Sequence, residues 1–132
     1  MAADRPVPRP GLWRLRVKRL KLPRTLANAL LADLQSGVGE GLIGASAGVP
    51  VSVYPCPPAR FAAALALIRS RGETSFAHYA HAAAPIADIV PTGTPYQILL
   101  AANIKGVILL RAFTRAGDGA RWQELDIVLD HD

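Results

Sequence analysis

The most versatile side chains for chemistry cluster in one stretch, where His78 and His81 sit three apart within Phe-Ala-His-Tyr-Ala-His. On a helix that offset puts both imidazoles on one face. Holding a metal would then need a third ligand, and the candidates Asp88, Cys56 and His131 fall at no diagnostic spacing. On a strand the same offset sends the rings to opposite faces, and the expected reading is a half-buried strand histidine followed by a loop histidine. Cys56 with one of these histidines would make a thiolate nucleophile and its base. The flanking Pro55 and Pro57 instead mark a structural turn, with no helix starting at the sulfur to lower its pKa.

The remaining chemistry-bearing types are no better arranged. Ser36, Ser46, Ser52, Ser70 and Ser75 lack a glycine-flanked nucleophile turn. Gly37, Gly39, Gly41, Gly44 and Gly48 crowd one segment, but neither the dinucleotide-binding spacing nor the phosphate-loop pattern is present, so 37–48 reads as a mobile loop. Asp126, Asp130 and Asp132 read as a solvated terminal face. The expectation is a protein without a catalytic site, cofactor or metal, working by binding or assembly.

The elements that carry these residues fit one domain. A chain of 132 residues that is 51% hydrophobic and 19% charged lies in the globular range and affords one core. The net charge of +5 is unevenly spread: residues 1–24 hold eight basic groups against one acid, and residues 25–132 hold seven against nine. Basicity therefore belongs to an N-terminal arm. With Cys56 alone, no intrachain disulfide can form, which fits a reducing compartment. No apolar run is long enough to span a membrane, and no apolar segment follows the basic start as a secretory signal requires.

Along the chain, Pro6, Pro8 and Pro10 make residues 1–11 an extended tail. From Leu12 to Leu22 apolar and basic residues alternate, predicting a basic edge strand whose buried face is Trp13, Leu15 and Val17. Leu26, Leu30, Leu31 and Leu34 predict a helix opened at Thr25 and stopped at Gly37. Val49, Val51 and Val53 predict a strand that Pro50 confines to an edge or a strand start. Pro57 and Pro58 open a second helix with Phe61, Leu65 and Ile68 as its core stripe, stopped by Gly72. Thr74–Ala80 reads as a strand. Tyr96–Ile104 and Val107–Thr114 form either a hairpin about Lys105-Gly106 or one kinked strand. The last segment fits a helix through Trp122, Leu125, Val128 and Leu129, or a strand through Leu125, Ile127 and Leu129. The expected fold is α+β, a mainly antiparallel sheet of about four to five strands packed against two or three helices, with residues 12–132 as a single domain.

The order of these motifs resembles the phage family of Mu-type minor tail proteins, the tail terminators. The resemblance rests on the helix Leu26–Leu34, the strand ending Val51-Ser-Val-Tyr-Pro55, the proline-led Pro57-Pro-Ala-Arg-Phe61, the strand Glu73-Thr-Ser-Phe-Ala-His-Tyr79 and the long β-element from Gln97 to Arg111. It implies a structural virion protein, assembled in a bacterial host cytoplasm, whose copies form a ring where tail meets head or neck. Its partners would be itself and other tail or neck proteins. Trp13, Tyr96, Ile98 and Ile108 are the candidate subunit contacts, with the Tyr96–Thr114 element pairing across copies. Arg14, Arg16, Lys18, Lys21 and Arg24 are the candidate contacts to DNA or an acidic neighbour. The competing reading is a small nucleic-acid-binding module whose arm holds phosphates in a salt-sensitive, sequence-blind way. A cellular adaptor or chaperone is a third.

Overall fold

A computed structural model describes residues 19–102, 105 and 108–130. Strand β1 (Arg19–Pro23) runs into helix α1 (Arg24–Ser36), followed by β2 (Glu40–Ser46) and β3 (Val49–Pro55). A single 3-10 turn (Pro58–Arg60) leads into α2 (Phe61–Ser70), and β4 (Thr74–His81) follows. After a second 3-10 turn (Ala87–Ile89) come β5 (Tyr96–Ala102), β6 (Ile108–Thr114) and β7 (Gln123–Asp130).

All seven strands join one sheet in the order β1-β7-β6-β5-β4-β2-β3. Two pairs, β1 with β7 and β4 with β5, are parallel, and the other four are antiparallel. The expectation of a mainly antiparallel sheet of four to five strands is therefore corrected: the sheet is larger, mixed, and curls into a half-barrel with only two α-helices. Geometry requires the curl. A flat sheet of seven strands would hold its edges about 29 Å apart at a strand spacing of about 4.8 Å, yet the single helix α1 touches β1 and β7 at one edge and β3 at the other.

Two segments account for most of the added strands. Residues 40–46, expected as a mobile loop, form β2, whose Gly41–Ala45 are all buried between β3 and β4. Glycine serves here for close approach rather than flexibility. A Cβ at Gly41 would lie 2.3 Å from the Tyr54 carbonyl oxygen, and one at Gly44 would lie 2.3 Å from the Glu73 carboxylate. The β2–β3 turn is two residues, Ala47 (φ 52°) and Gly48 (φ 81°), the left-handed pair that matches strand twist. The terminal segment is the strand alternative, β7, lying between β6 and β1. The Tyr96–Thr114 region is the hairpin alternative, with Leu100 opposite Leu110.

Other expectations need smaller changes. In β1 it is Leu20 and Leu22 that are buried, while Arg19 and Lys21 face out. That reverses the parity assigned to this strand, which had grouped Leu20 with the basic face. Its cause is α1, whose leucines offer Leu20 and Leu22 an apolar partner. Trp13, Leu15 and Val17 lie outside the described residues. Helix α1 begins at Arg24 after Pro23, one residue before the expected start, and ends at Gly37 as expected.

The core has two layers, one on each side of the sheet. Leu26, Leu30 and Leu34 of α1 pack with Leu20, Leu22, Ile43, Ala77, Tyr79, Ile98, Leu100, Ala112 and Leu125. On the other side Phe61, Ala64 and Ile68 of α2 cover Leu42 and Tyr54.

Candidate functional site

His78 and His81, the residues best suited to chemistry among those described, are consumed by the fold. His78 in β4 is fully buried rather than half-buried, because it lies beneath Phe61 of α2, whose ring meets it edge-on at 5.5 Å. Its protonation follows from its neighbours. The Gln97 amide is oriented by Ile86, whose N–H donates to Oε1 at 2.9 Å and whose carbonyl accepts from Nε2 at 3.2 Å. The same Nε2 donates to His78 Nδ1 at 2.7 Å, so that ring nitrogen is bare. The proton therefore sits on Nε2 and is donated to Glu40 Oε2 at 2.9 Å. Burial pushes the His78 pKa below its usual value, against the opposing pull of Glu40. The neutral ring with both nitrogens engaged ties β2, β4, β5 and the 82–94 connection together.

His81 points to the other side of the sheet, as an offset of three along a strand requires, and its Nε2–H donates to the Leu34 carbonyl at the end of α1. Neither His78 nor His81 is therefore free to act as a base for Cys56, and His131 lies outside the described residues. The Cys56 thiol pKa is raised, first by burial and then by the Glu40 charge, with Arg60 opposing. Its backbone N–H donates to the Glu40 carbonyl at 2.9 Å, which makes Pro55-Cys56-Pro57 the structural turn that the sequence implies. Asp33 is equally committed: it accepts from the Val38 and Gly39 N–H groups and from the Tyr79 hydroxyl at 2.8 Å. Among the described residues no cluster of His, Cys, Asp or Glu is placed to hold a metal ion.

What remains open is the seam of the half-barrel. Among the described residues β1 pairs only with β7 and β3 only with β2, so neither outer edge has a ladder partner, although β1 and β3 approach each other across the seam. Four antiparallel steps separate them in the sheet, which leaves β1 and β3 running in the same direction. Beside β3 lies a depression of about 440 Å3 lined by Leu26 and Ala29 of α1 and by Val49, Val51 and Val53. A second, of about 340 Å3, continues it toward β1, sharing Pro23, Val49 and Pro50 and adding Arg19, Lys21, Phe76 and Tyr96. Val49 and Val51 are 52% and 48% exposed. Pro50 between them is buried, the placement that an edge strand tolerates.

The residues expected as contacts separate accordingly. Lys21 and Tyr96 meet at the seam, where Tyr96 stacks on Phe76 with centroids 4.7 Å apart. Arg24 is exposed at the first position of α1. Ile98 is fully buried and β5 has a neighbour on each side, whereas β6 pairs with β7 only over Ala112–Thr114, which leaves its Ile108–Arg111 half with no ladder partner on that side among the described residues. Ile108 opens β6 opposite Ala102. Trp13, Arg14, Arg16 and Lys18 lie outside the described residues. The feature that sequence reasoning missed is the exposure of Val49 and Val51 along this edge; its signal was the proline between two valines of one strand.

No protein-family model and no curated protein sequence matches the chain. Among solved structures, the chain is similar to the solution structure of protein DSY2949 from Desulfitobacterium hafniense, a structural genomics target, with a TM-score of 0.52 and 18% identity. That match covers 85% of this chain and 93% of the other, and at this identity it shows a shared fold alone. No helix among the described residues is long and apolar enough to cross a membrane.

Proposed function

We propose that this chain is a structural assembly protein of a phage virion, a tail terminator or neck component, whose copies join edge to edge into a ring. The observation that carries the reading is the open, apolar β3 edge with Val49 and Val51 exposed beside the α1 groove. Monomeric sheets guard free edges with charge, proline, bulges or cover; β3 carries no charged residue and is blunted only by Pro50, Pro55 and a bulge at Val51. β1 at the opposite edge carries Arg19 and Lys21. Unlike edges favour head-to-tail contact over a two-fold one, and such contacts close into rings when the rotation permits. Because β1 and β3 run in the same direction, a rotated copy adds its β1 parallel to β3, continuing the sheet by strand addition. The role is non-enzymatic, and the partners are further copies and other tail or neck proteins.

Light scattering on the purified chain tests this reading, alone and with a neighbouring tail or neck protein. A closed ring is expected, and Val49→Lys with Val51→Lys in one chain is expected to give folded monomers. A strict monomer in every case would sink the reading. One observation favours a second reading, a basic nucleic-acid module: Arg19, Lys21 and Arg24 are exposed in one short stretch and make no ion pair among the described residues. Duplex binding that falls steeply with salt in a chain that stays monomeric would favour it.

A further inference from the structure

A third depression, of about 520 Å3, lies on the opposite side of the sheet between β3 and α2. Its wall is apolar, formed by Val53, Ala63, Ala64 and Leu67, and Leu67 is 44% exposed. Arg60 and Arg71 line it too, as the residues that flank α2 at its start and end. Eleven residues of helix rise place their backbones about 16 Å apart. Two cations from opposite ends of α2 therefore border one apolar cleft.

Neither arginine forms an ion pair with a carboxylate among the described residues. Arg71 is nevertheless positioned: its guanidinium lies 5.5 Å from the centre of the Tyr54 ring and donates to the Tyr54 hydroxyl at 3.4 Å. That hydroxyl donates in turn to Glu73 Oε1 at 2.7 Å, and Ser52 donates to the second Glu73 oxygen. Glu73 thus orients Arg71 through tyrosine while leaving most of its N–H groups unpaired. The positive charge of Arg60 is felt at Cys56 on the wall of the same cleft.

We propose that this cleft binds a short acidic peptide segment, with an apolar side chain against Leu67 and Ala64 and one carboxylate on each arginine. Charge complementarity selects the ligand. A nucleic-acid backbone or a free phosphate brings no aliphatic group for the wall between them. Guanidinium–carboxylate contact is directional and charge-assisted, which suits a site defined by two such points. The inference does not depend on ring formation, since α2 and both arginines lie outside the seam groove and only Val53 of β3 borders both depressions.

Fluorescence anisotropy on the full chain tests it, with a fluorescein-labelled octapeptide of alternating leucine and glutamate as the probe. Arg60→Gln and Arg71→Gln are each expected to weaken binding about tenfold. Leu67→Glu, an exposed substitution that places a like charge on the wall, is expected to weaken it at least as much. Arg69→Gln removes the same charge from α2 outside the cleft and is expected to leave binding unchanged. Unchanged melting temperatures establish that each variant is folded. No binding by the parent chain overturns the proposal, as does equal binding of the glutamine-for-glutamate peptide. An equal loss in Arg69→Gln would mean diffuse charge rather than a site. Displacement of the probe by millimolar inorganic phosphate would make this a phosphate site and overturn the peptide assignment.

Discussion

The interior around His78 and the seam beside β3 invert what residue types suggest. At His78 the imidazole and the Gln97 amide are sealed in and paired, and the half-buried Glu40 carboxylate closes the network. At the seam the side chains are chemically inert, yet Val49 and Val51 stand about half exposed along an edge strand with a free side. Reactive residue types are structural here, and unreactive ones form the candidate contact surface. A polar group buried and fully paired specifies a fold. An apolar group exposed beside an unpaired strand edge instead invites a partner.

Four experiments sharpen or break this contrast, beginning with the largest effect. His78→Ala strands the Gln97 amide and the Glu40 carboxylate and opens space beneath Phe61, so about 3 kcal/mol of stability should be lost in urea unfolding. A loss below about 1 kcal/mol would show that the network is not the keystone of the interior. Gly41→Ala puts a methyl group against backbone, 2.3 Å from the Tyr54 carbonyl oxygen and 2.9 Å from the Pro55 Cα. Neither atom can swing away, and a cost of about 2 kcal/mol is expected. An unchanged midpoint would mean that β2 and β3 separate easily, and that β2 behaves more like the loop its composition suggests.

The third is a pH dependence. His78 has its folded-state pKa depressed by burial, so between the folded and unfolded values the unfolded chain binds more protons than the folded one. Stability from this group is therefore present above the unfolded value near 6.5 and is lost as pH falls through the folded value. Unfolding free energies measured from pH 7.5 down to 5 should decline. A His78→Gln chain should lack that component of the slope, and identical slopes would exclude His78 as its origin. The smallest effect belongs to the seam: Val49→Lys with Val51→Lys should change the stability of a single copy by no more than about 0.5 kcal/mol, because both sites are exposed. A large loss would show that these valines serve the fold rather than a contact.

Local pattern was sufficient for some elements. The leucines at helical spacing placed α1, Gly37 ended it, Pro57 and Pro58 preceded α2, and Val-Pro-Val marked β3 as an edge. The strand reading of Thr74–Ala80 also placed His78 and His81 apart, although His81 closes the strand instead of lying in the expected loop. These features depend on neighbours within a turn or two, where periodicity and proline geometry act.

Other features depend on residues far apart in sequence, and only the tertiary structure decided them. Glycine content made 37–48 look like a loop, whereas packing against Tyr54, Tyr79 and Glu73 made most of it a buried strand that needs glycine at positions 41 and 44. Residues 122–130 fitted helix and strand equally, and pairing with β6 and with β1, over a hundred residues earlier, chose the strand. The parity of β1 was set by α1 beneath it. Whether the protein presents histidines or valines to the outside was likewise unreadable from residue type, because exposure is a property of the closed sheet and its unclosed seam.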